Sequence, residues 1–379
     1  VAQQGGIVSW GDDGFGQISN TPTDTDFAQV AGGWFHSLAL KSDGSIVPWG
    51  NDGFGQVSDT PTGTGFVQVA GGGYHSLALE ADGSIVSWGD DYLGQVFYTP
   101  TGNDFVQVAG GGYHSLALKS DGSIVSWGND GDGQVSNTPP GTDFVKVEGA
   151  NYHSLALKSD GSIASWGWDG QGQVSDTPTG MDFVQVGCGG AHSLALKLDG
   201  SIVSWGDDGF GQVSNTPTDM DFVQVAAGWL HSLALKSDGS IVSWGYDVYG
   251  KVSDTPSGTN FVQVAGGGFH SLALDSEPIL SVTNLVAGQT ASIDVTSATA
   301  GGMVIAAYSL RGGGPINTPW GTGLLTPPYT RLRGLIADAA GEASWSVSVP
   351  AGSSGVNVWL QALDWQSQTP SNGLALTVW

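Results

Sequence analysis

The sequence predicts an all-β chain: a seven-bladed β-propeller, closed by pairing of its N- and C-terminal strands and followed by a β-sandwich. Three observations predict it. Trp10 returns as Trp49, Trp88, Trp127, Trp166, Trp205 and Trp244, every 39 residues and without an insertion. The same interval places all seven histidines, from His36 to His270, and seven phenylalanines, from Phe27 to Phe261; such a period means a repeat architecture. Within each copy, short apolar–polar alternations lie between glycines, which is strand patterning. The array also starts and stops in mid-unit, so its two ends complement each other.

The copy from Phe66 to Pro100 gives the elements in order. Phe66–Ala70 alternates and reads as the first strand, and Gly71–Gly73 follows it. His75–Leu79 is the second strand and runs into Asp82-Gly83, a tight-turn signal that brings Ser84–Trp88 back antiparallel. Gln95-Val96-Phe97 reads as a fourth, outer strand ending at Pro100, since proline suits a strand edge. Four strands per copy make one propeller blade. The N-terminus supplies the second half of a unit and the C-terminal copy the first half, so the seventh blade is expected to take two strands from each end.

The propeller is expected over residues 1–274, with a hinge at 275–278. Residues 279–379 read as the sandwich, with alternating segments at Leu280–Thr283, Ala291–Val295, Met303–Tyr308, Ala343–Val349, Val356–Ala362 and Leu374–Trp379. Pro315–Gly334 reads as a long loop holding Trp320 and Arg333.

Net charge is −25, with 10 basic against 35 acidic residues. The chain therefore has no basic patch to meet phosphates, which argues against nucleic acid and anionic membranes as partners. No apolar run reaches the ~20 residues of a membrane helix, so no membrane insertion is expected. Cys188 is alone and implies no disulfide framework. The start at Val1-Ala2-Gln3-Gln4 without Met reads as a processed secretory chain, and an extracellular or cell-surface location in bacteria is the expectation.

The recurring Gly-Gly-Tyr-His-Ser-Leu-Ala-Leu, then Asp-Gly, Ser-Trp-Gly and Asp-Gly-x-Gly-Gln resembles the repeat of the regulator of chromosome condensation family, whose members are seven-bladed propellers. The strict period and short loops resemble the secreted bacterial branch, of which β-lactamase inhibitor protein II is the known example. That resemblance implies a partner protein gripped by aromatic residues on one propeller face. The insertion that the nuclear exchange factors use is not present in the repeats. Gly33-Trp34-Phe35-His36 and Gly228-Trp229-Leu230-His231 partly match the plant UV-B photoreceptor motif but lack its arginine. The second domain resembles C-terminal modules of secreted bacterial proteins, which implies a role in export, attachment or assembly.

Function is sought where the copies differ. Two positions before each histidine vary, giving Trp34, Phe35, Tyr74, Tyr113, Tyr152, Trp229, Leu230 and Phe269, and the loop after each repeated tryptophan varies too, giving Trp168, Tyr246 and Tyr249. Large aromatics that escape the copying, set among glycines, are expected to stand exposed and to bind another protein. The repeated tryptophans and phenylalanines are expected to pack between blades. Each histidine is expected to bridge backbone groups of adjacent blades, because ligands in separate blades cannot converge on one ion. The loop aspartates, from Asp13 to Asp247, lack the spacing of a calcium loop and are expected to cap turns. No cofactor, metal or catalytic group is expected. The alternatives are a structural subunit of an extracellular assembly, self-associating through its C-terminal domain, and a propeller enzyme.

Overall fold

The computed structural model describes residues 5–276 and, beyond them, residues 279–283, 290–296, 303–309, 313–318, 321–325, 330–331, 335–337, 343–348, 357–364, 369–370 and 374–377. The chain divides into two compact units, residues 1–257 with 261–275, and residues 258–260 with 276–379.

The first unit consists of seven three-stranded antiparallel sheets. In one blade the inner strand is Phe27–Gly32, the middle strand His36–Lys41 and the outer strand Ile46–Gly50. The middle strand is buried on both faces apart from its last residue, which is why His-Ser-Leu-Ala-Leu carries nothing charged. Between the middle and outer strands, Lys41 and Ser45 close a three-residue turn in which Gly44 has φ +84°. The Asp43 carboxylate accepts from the Ser45 N–H and hydroxyl.

The propeller departs from the sequence expectation at three points. No fourth strand forms. Gln95-Val96-Phe97 lies in a run of turns, because one oxygen of the Asp91 carboxylate takes the N–H groups of both Val96 and Phe97 and so removes them from any ladder. The closing blade holds one strand from the N-terminal end and two from the C-terminal end of the array. Ile7–Gly11 pairs with His270–Asp275, in register from Ile7 with Leu274 to Gly11 with His270, and Phe261–Gly266 completes the sheet. Asp275, assigned to a hinge by the sequence, is the last residue of a strand, and its carboxylate accepts from the Gly6 N–H at 2.6 Å.

Apolar clusters join each blade to the next. One gathers Leu38 and Leu40 with Phe66, Val69, Ala78 and Trp88 of the following blade. The cluster of Phe27, Val30, Ala39, Trp49, Leu272 and Leu274 does the same across the closure. The repeated tryptophans are packing residues, as expected. Each is buried, and its Nε1 donates to a backbone carbonyl, 32 residues earlier for six of them, as from Trp49 to Gln17 at 2.9 Å, and across the closure from Trp10 to Lys251.

Nearer the axis, glutamines bind the blades together. Gln29 donates from Nε2 to the Val69 carbonyl and accepts from the Val69 N–H through Oε1, both at 3.0 Å. Gln68, Gln107, Gln185, Gln224 and Gln263 repeat this two-bond link. The seventh position is Lys146, which pairs instead with Glu148 at 3.3 Å and leaves Val186 without a link. Lys146→Gln is therefore expected to stabilise the ring by about 1–2 kcal/mol, the net worth of two added hydrogen bonds. The half-exposed ion pair it removes is worth less. A rise in the denaturant midpoint at unchanged m-value checks this; an unchanged midpoint would show that the seam gains nothing from the link.

In the second unit, Ile279–Thr283, Thr290–Thr296 and Ala343–Ser348 form one antiparallel sheet. Met303–Ser309 and Asn357–Asp364 centre a second sheet of six strands. Along the first sheet Ile293, Val295, Ala343 and Trp345 are buried while Ser344 and Ser346 are exposed, so one face is covered. The stretch read as a loop contains the hairpin Gly313–Thr318 with Gly321–Leu325 and the short strand Thr330–Arg331. Trp320 and Arg333 lie outside the described residues.

Candidate protein-binding face

Seven loops between inner and middle strands and seven loops after the outer strands gather at one end of the propeller, joined by bonds such as Asn51 N–H to the Phe35 carbonyl at 2.8 Å. Three concentric positions face that end. The innermost is occupied in turn by Trp34, Gly73, Gly112, Asn151, Gly190, Trp229 and Gly268. Beneath it runs an axial channel of about 310 Å³, lined by the inner strands.

Trp34 lies over its neighbours' glycines. A Cβ at Gly73 or Gly112 would meet the indole at 3.2 or 3.1 Å. Its Nε1 donates to Asn151 Oδ1 at 2.7 Å, and the ring stacks on Trp229 with centroids 5.9 Å apart. Both tryptophans are half-buried at the channel mouth and do not stand proud of the glycines as the sequence suggested. The reason is geometric: near a rotation axis there is room for two indoles, and the remaining copies must be small.

The middle position carries Phe35, Tyr74, Tyr113, Tyr152, Ala191, Leu230 and Phe269, of which all seven are half-buried. Phe35 stacks on Phe269 at 4.9 Å, Tyr74 and Tyr113 meet Trp34 edge-on at 5.0 and 5.2 Å, and Phe269 meets Trp229 at 5.0 Å. Burial raises the hydroxyl pKa of Tyr74 and Tyr113. Trp34, Phe35, Tyr74, Tyr113, Trp229 and Phe269 thus form one continuous aromatic cluster. Tyr152 and Trp168 pair separately at 5.9 Å, as do Tyr246 and Phe210 at 4.2 Å.

The outermost position is the exposed one. Phe15, Phe54, Phe210 and Tyr249 are 49%, 53%, 48% and 59% exposed, Leu93 is 37% exposed, and Asp132 and Gln171 complete the circle. Phe15 leans on Phe35 at 5.3 Å and Phe54 on Tyr74 at 5.3 Å, so outer rings extend the inner cluster. The apolar surface is a crescent from Phe210 round to Leu93, broken at the outermost position by the polar Asp132 and Gln171, with the small Ala191 inside the break. Tyr249 has φ +69°, a conformation rare outside glycine. In the loop of Leu93, Tyr92, Phe97 and Tyr98 are 87%, 76% and 63% exposed. Phe97, expected in the outer strand, and its neighbour Tyr98 stand where the other six copies have serine and Asn or Asp, and that departure from the copying is the signal in the sequence for this exposed pair.

The loop aspartates cap turns, as expected: Asp13 Oδ1 accepts from the N–H groups of Ile18 and Ser19, and those bonds hold its carboxyl below the usual range. Lys251 stands where six copies have a buried glutamine, 1% exposed, with its Nζ 4.9 Å from the Tyr246 ring and 5.5 Å from that of Tyr249. Burial lowers its pKa.

The histidines bridge blades, but to a hydroxyl rather than to backbone. His36 Nε2 shares a hydrogen bond with Ser76 Oγ at 2.9 Å, and the pattern runs round to His270 with Ser37 at 2.6 Å. Every pair is 0% exposed, so none can serve as a nucleophile and its base toward a substrate. Burial pushes His36, His114 and His192 down to about 4 and, with help from neighbouring histidines, His75, His153 and His270 to about 3. Among the described residues no three His, Cys, Asp or Glu side chains converge as a metal site requires.

The family model described as the regulator of chromosome condensation (RCC1) repeat matches residues 27–56, 66–95, 105–134, 183–212 and 222–251. No curated protein sequence matches the chain. Among solved structures, yeast RCC1 (Prp20) bound to Kap60 is 20% identical, with a TM-score of 0.59 over 72% of this chain and 89% of that one. Human WBSCR16 is 19% identical, with a TM-score of 0.58 over 73% and 99%. The ectodomain of the Arabidopsis thaliana receptor kinase ACR4 is 20% identical, with a TM-score of 0.56 over 66% and 93%. Repeat match and shared fold agree with the ring of three-stranded blades: the chain carries regulator of chromosome condensation repeats folded as an RCC1-like propeller.

Proposed function

We propose that this chain is a binding module that docks another protein on the aromatic crescent. One observation carries the reading: the half-exposed rings of Phe15, Phe54, Phe210 and Tyr249 break the symmetry of an otherwise copied surface, and two of them, Phe15 and Phe54, continue a packed aromatic cluster beneath. Contiguous apolar surface on a rigid scaffold marks interaction sites. Aromatic side chains also contribute most of the energy where partners meet. The similar yeast propeller was solved bound to Kap60, which supports a protein partner in kind though not in identity. The proposal includes a secreted or cell-surface location and a sandwich arrangement for the second unit's two larger sheets, both resting on the sequence reading.

A photo-crosslinking amino acid placed at Phe54 or Phe210 of the full chain tests it. With total protein of the producing cells and their medium, discrete adducts are expected at these positions and not at Val106, an exposed residue on an inner strand. Equal labelling at all three positions would rule out the crescent as the docking face.

A further inference from the structure

We propose that the crescent receives a basic polypeptide segment, whose lysine or arginine heads sit over its exposed rings and against the adjoining aspartates. This rests on the docking role proposed above and names the chemistry of the partner.

The argument begins with a triplet that the fold builds repeatedly. Lys41 Nζ stands 5.5 Å from the Phe27 ring and 2.6 Å from an Asp24 oxygen. Lys119, Lys158, Lys197 and Lys236 do the same over their own phenylalanines, each with an aspartate. Ring, carboxylate and cation are thus a stable combination in this scaffold. It joins attraction to the ring face with an ion pair.

On the crescent a ring and a carboxylate again share each of four loops, and no exposed cation accompanies them. Phe15, Phe54, Phe210 and Tyr249 each stand two residues after an exposed aspartate: Asp13, Asp52, Asp208 and Asp247. Backbone N–H groups fix these carboxylates through Oδ1. No lysine or arginine lies in these loops except Lys251, and it is buried. Lys251 shows what the face accepts, since its ammonium already lies between the Tyr246 and Tyr249 rings. The cation absent from the other pairs must come from outside. An acidic or phosphorylated partner would instead meet a row of fixed carboxylates in every loop.

Titration of the full chain with octa-arginine, octa-glutamate and an uncharged Gly-Ser octamer tests the proposal. Because a chain of charge −25 attracts any polycation, the deciding comparison keeps the charge constant. Phe15→Leu, Phe54→Leu and Phe210→Leu together retain apolar bulk but remove the ring faces. They are expected to weaken octa-arginine binding about tenfold, from cation–π attraction at exposed sites. Leu198→Ser, at an exposed residue away from the crescent, alters no charge and should leave it unchanged. Wild-type affinity in the leucine variant, with an unchanged melting temperature, overturns the proposal; so does tighter binding of octa-glutamate or the neutral octamer. Crosslinks at Phe54 to a partner without a basic segment would overturn this inference and leave the docking role standing. Absence of any crosslink there would remove the docking role itself.

Discussion

Lowering the pH from 7 to 5 is expected to unfold the propeller cooperatively, with an uptake approaching seven protons per chain. The seven histidines are completely buried, and each imidazole shares one bond with a serine hydroxyl while its Nδ1 has no protein partner. A neutral ring tolerates a bare nitrogen acceptor. An imidazolium would bury a charge and an N–H without an acceptor, which is why six of the folded pKa values fall to about 4 or 3 and that of His231 falls well below the ordinary histidine value. The sign follows from proton counting. A base whose pKa is depressed by folding binds more protons when unfolded, so stability is intact above the unfolded value of 6.5 and is lost as pH falls toward the folded values. At pH 5.5 the loss is on the order of 1 kcal/mol per histidine, and on the order of 10 kcal/mol for the seven together. That is as large as the whole stability of an ordinary domain. The aspartates held below their usual range, such as Asp13 and Asp208, work in the same direction but only at pH values below about 4. Relief of the repulsion within a chain of charge −25 opposes them, and it too sets in mainly below pH 5. The histidines titrate first and decide the outcome. Fluorescence and circular dichroism followed from both the folded and the acid-unfolded side should give one midpoint between pH 5 and 6. His153→Asn should lower the proton uptake by one. A ring still folded at pH 4 at equilibrium would mean that the imidazoles are not held neutral.

Much of this was legible from the period alone. Residues copied at every turn, such as the tryptophans from Trp10 to Trp244, occupy equivalent buried sites, and the Asp-Gly turns fall between strands where expected. The simple rule that copied residues are inside and uncopied ones outside nevertheless fails in both directions. Val67, Val106, Val145, Val184 and Val223 are copied and about half exposed, 45–54%. Trp34 and Trp229 are uncopied and half-buried, because positions beside the axis cannot hold seven large side chains at once. Bonds that cross blades were invisible for another reason. His36 and Ser76 lie 40 residues apart, so no inspection of one repeat pairs them. The false fourth strand shows the limit of alternation: Gln95-Val96-Phe97 has the pattern, but the Asp91 carboxylate competes for its N–H groups and wins.

Trp10→Ala is expected to open the ring, whereas Trp127→Ala, the same change in another blade, should only weaken it. Both indoles are buried, at 5% and 4% exposure, and both donate to a backbone carbonyl, Trp10 to Lys251 at 3.0 Å and Trp127 to Gln95 at 2.8 Å. Removing either costs about 3–5 kcal/mol in lost burial and residual cavity. The strands they anchor differ in how they are held. Ile124–Gly128 follows its partner His114–Lys119 through a short turn, so their pairing is local. Ile7–Gly11 joins His270–Asp275 across a separation of 269 residues, as between Gly6 and Asp275. Released, Ile7–Gly11 regains its own conformational freedom, with no short turn to hold it beside its partner. Trp10 supplies the largest side chain in the cluster that offsets this, with Leu233, Leu235, Ile241, Phe261, Val264 and Ala273. Without it the margin for keeping Ile7–Gly11 docked is nearly exhausted, and the strand should detach below the global transition. Hydrogen exchange reads the difference directly. In Trp10→Ala the amides of Ile7–Gly11 and His270–Asp275 should exchange far faster than those of the other blades. In Trp127→Ala the acceleration should spread over the whole ring, following the lower global stability. Identical exchange maps for the two variants would show that closure draws its strength from somewhere other than this indole.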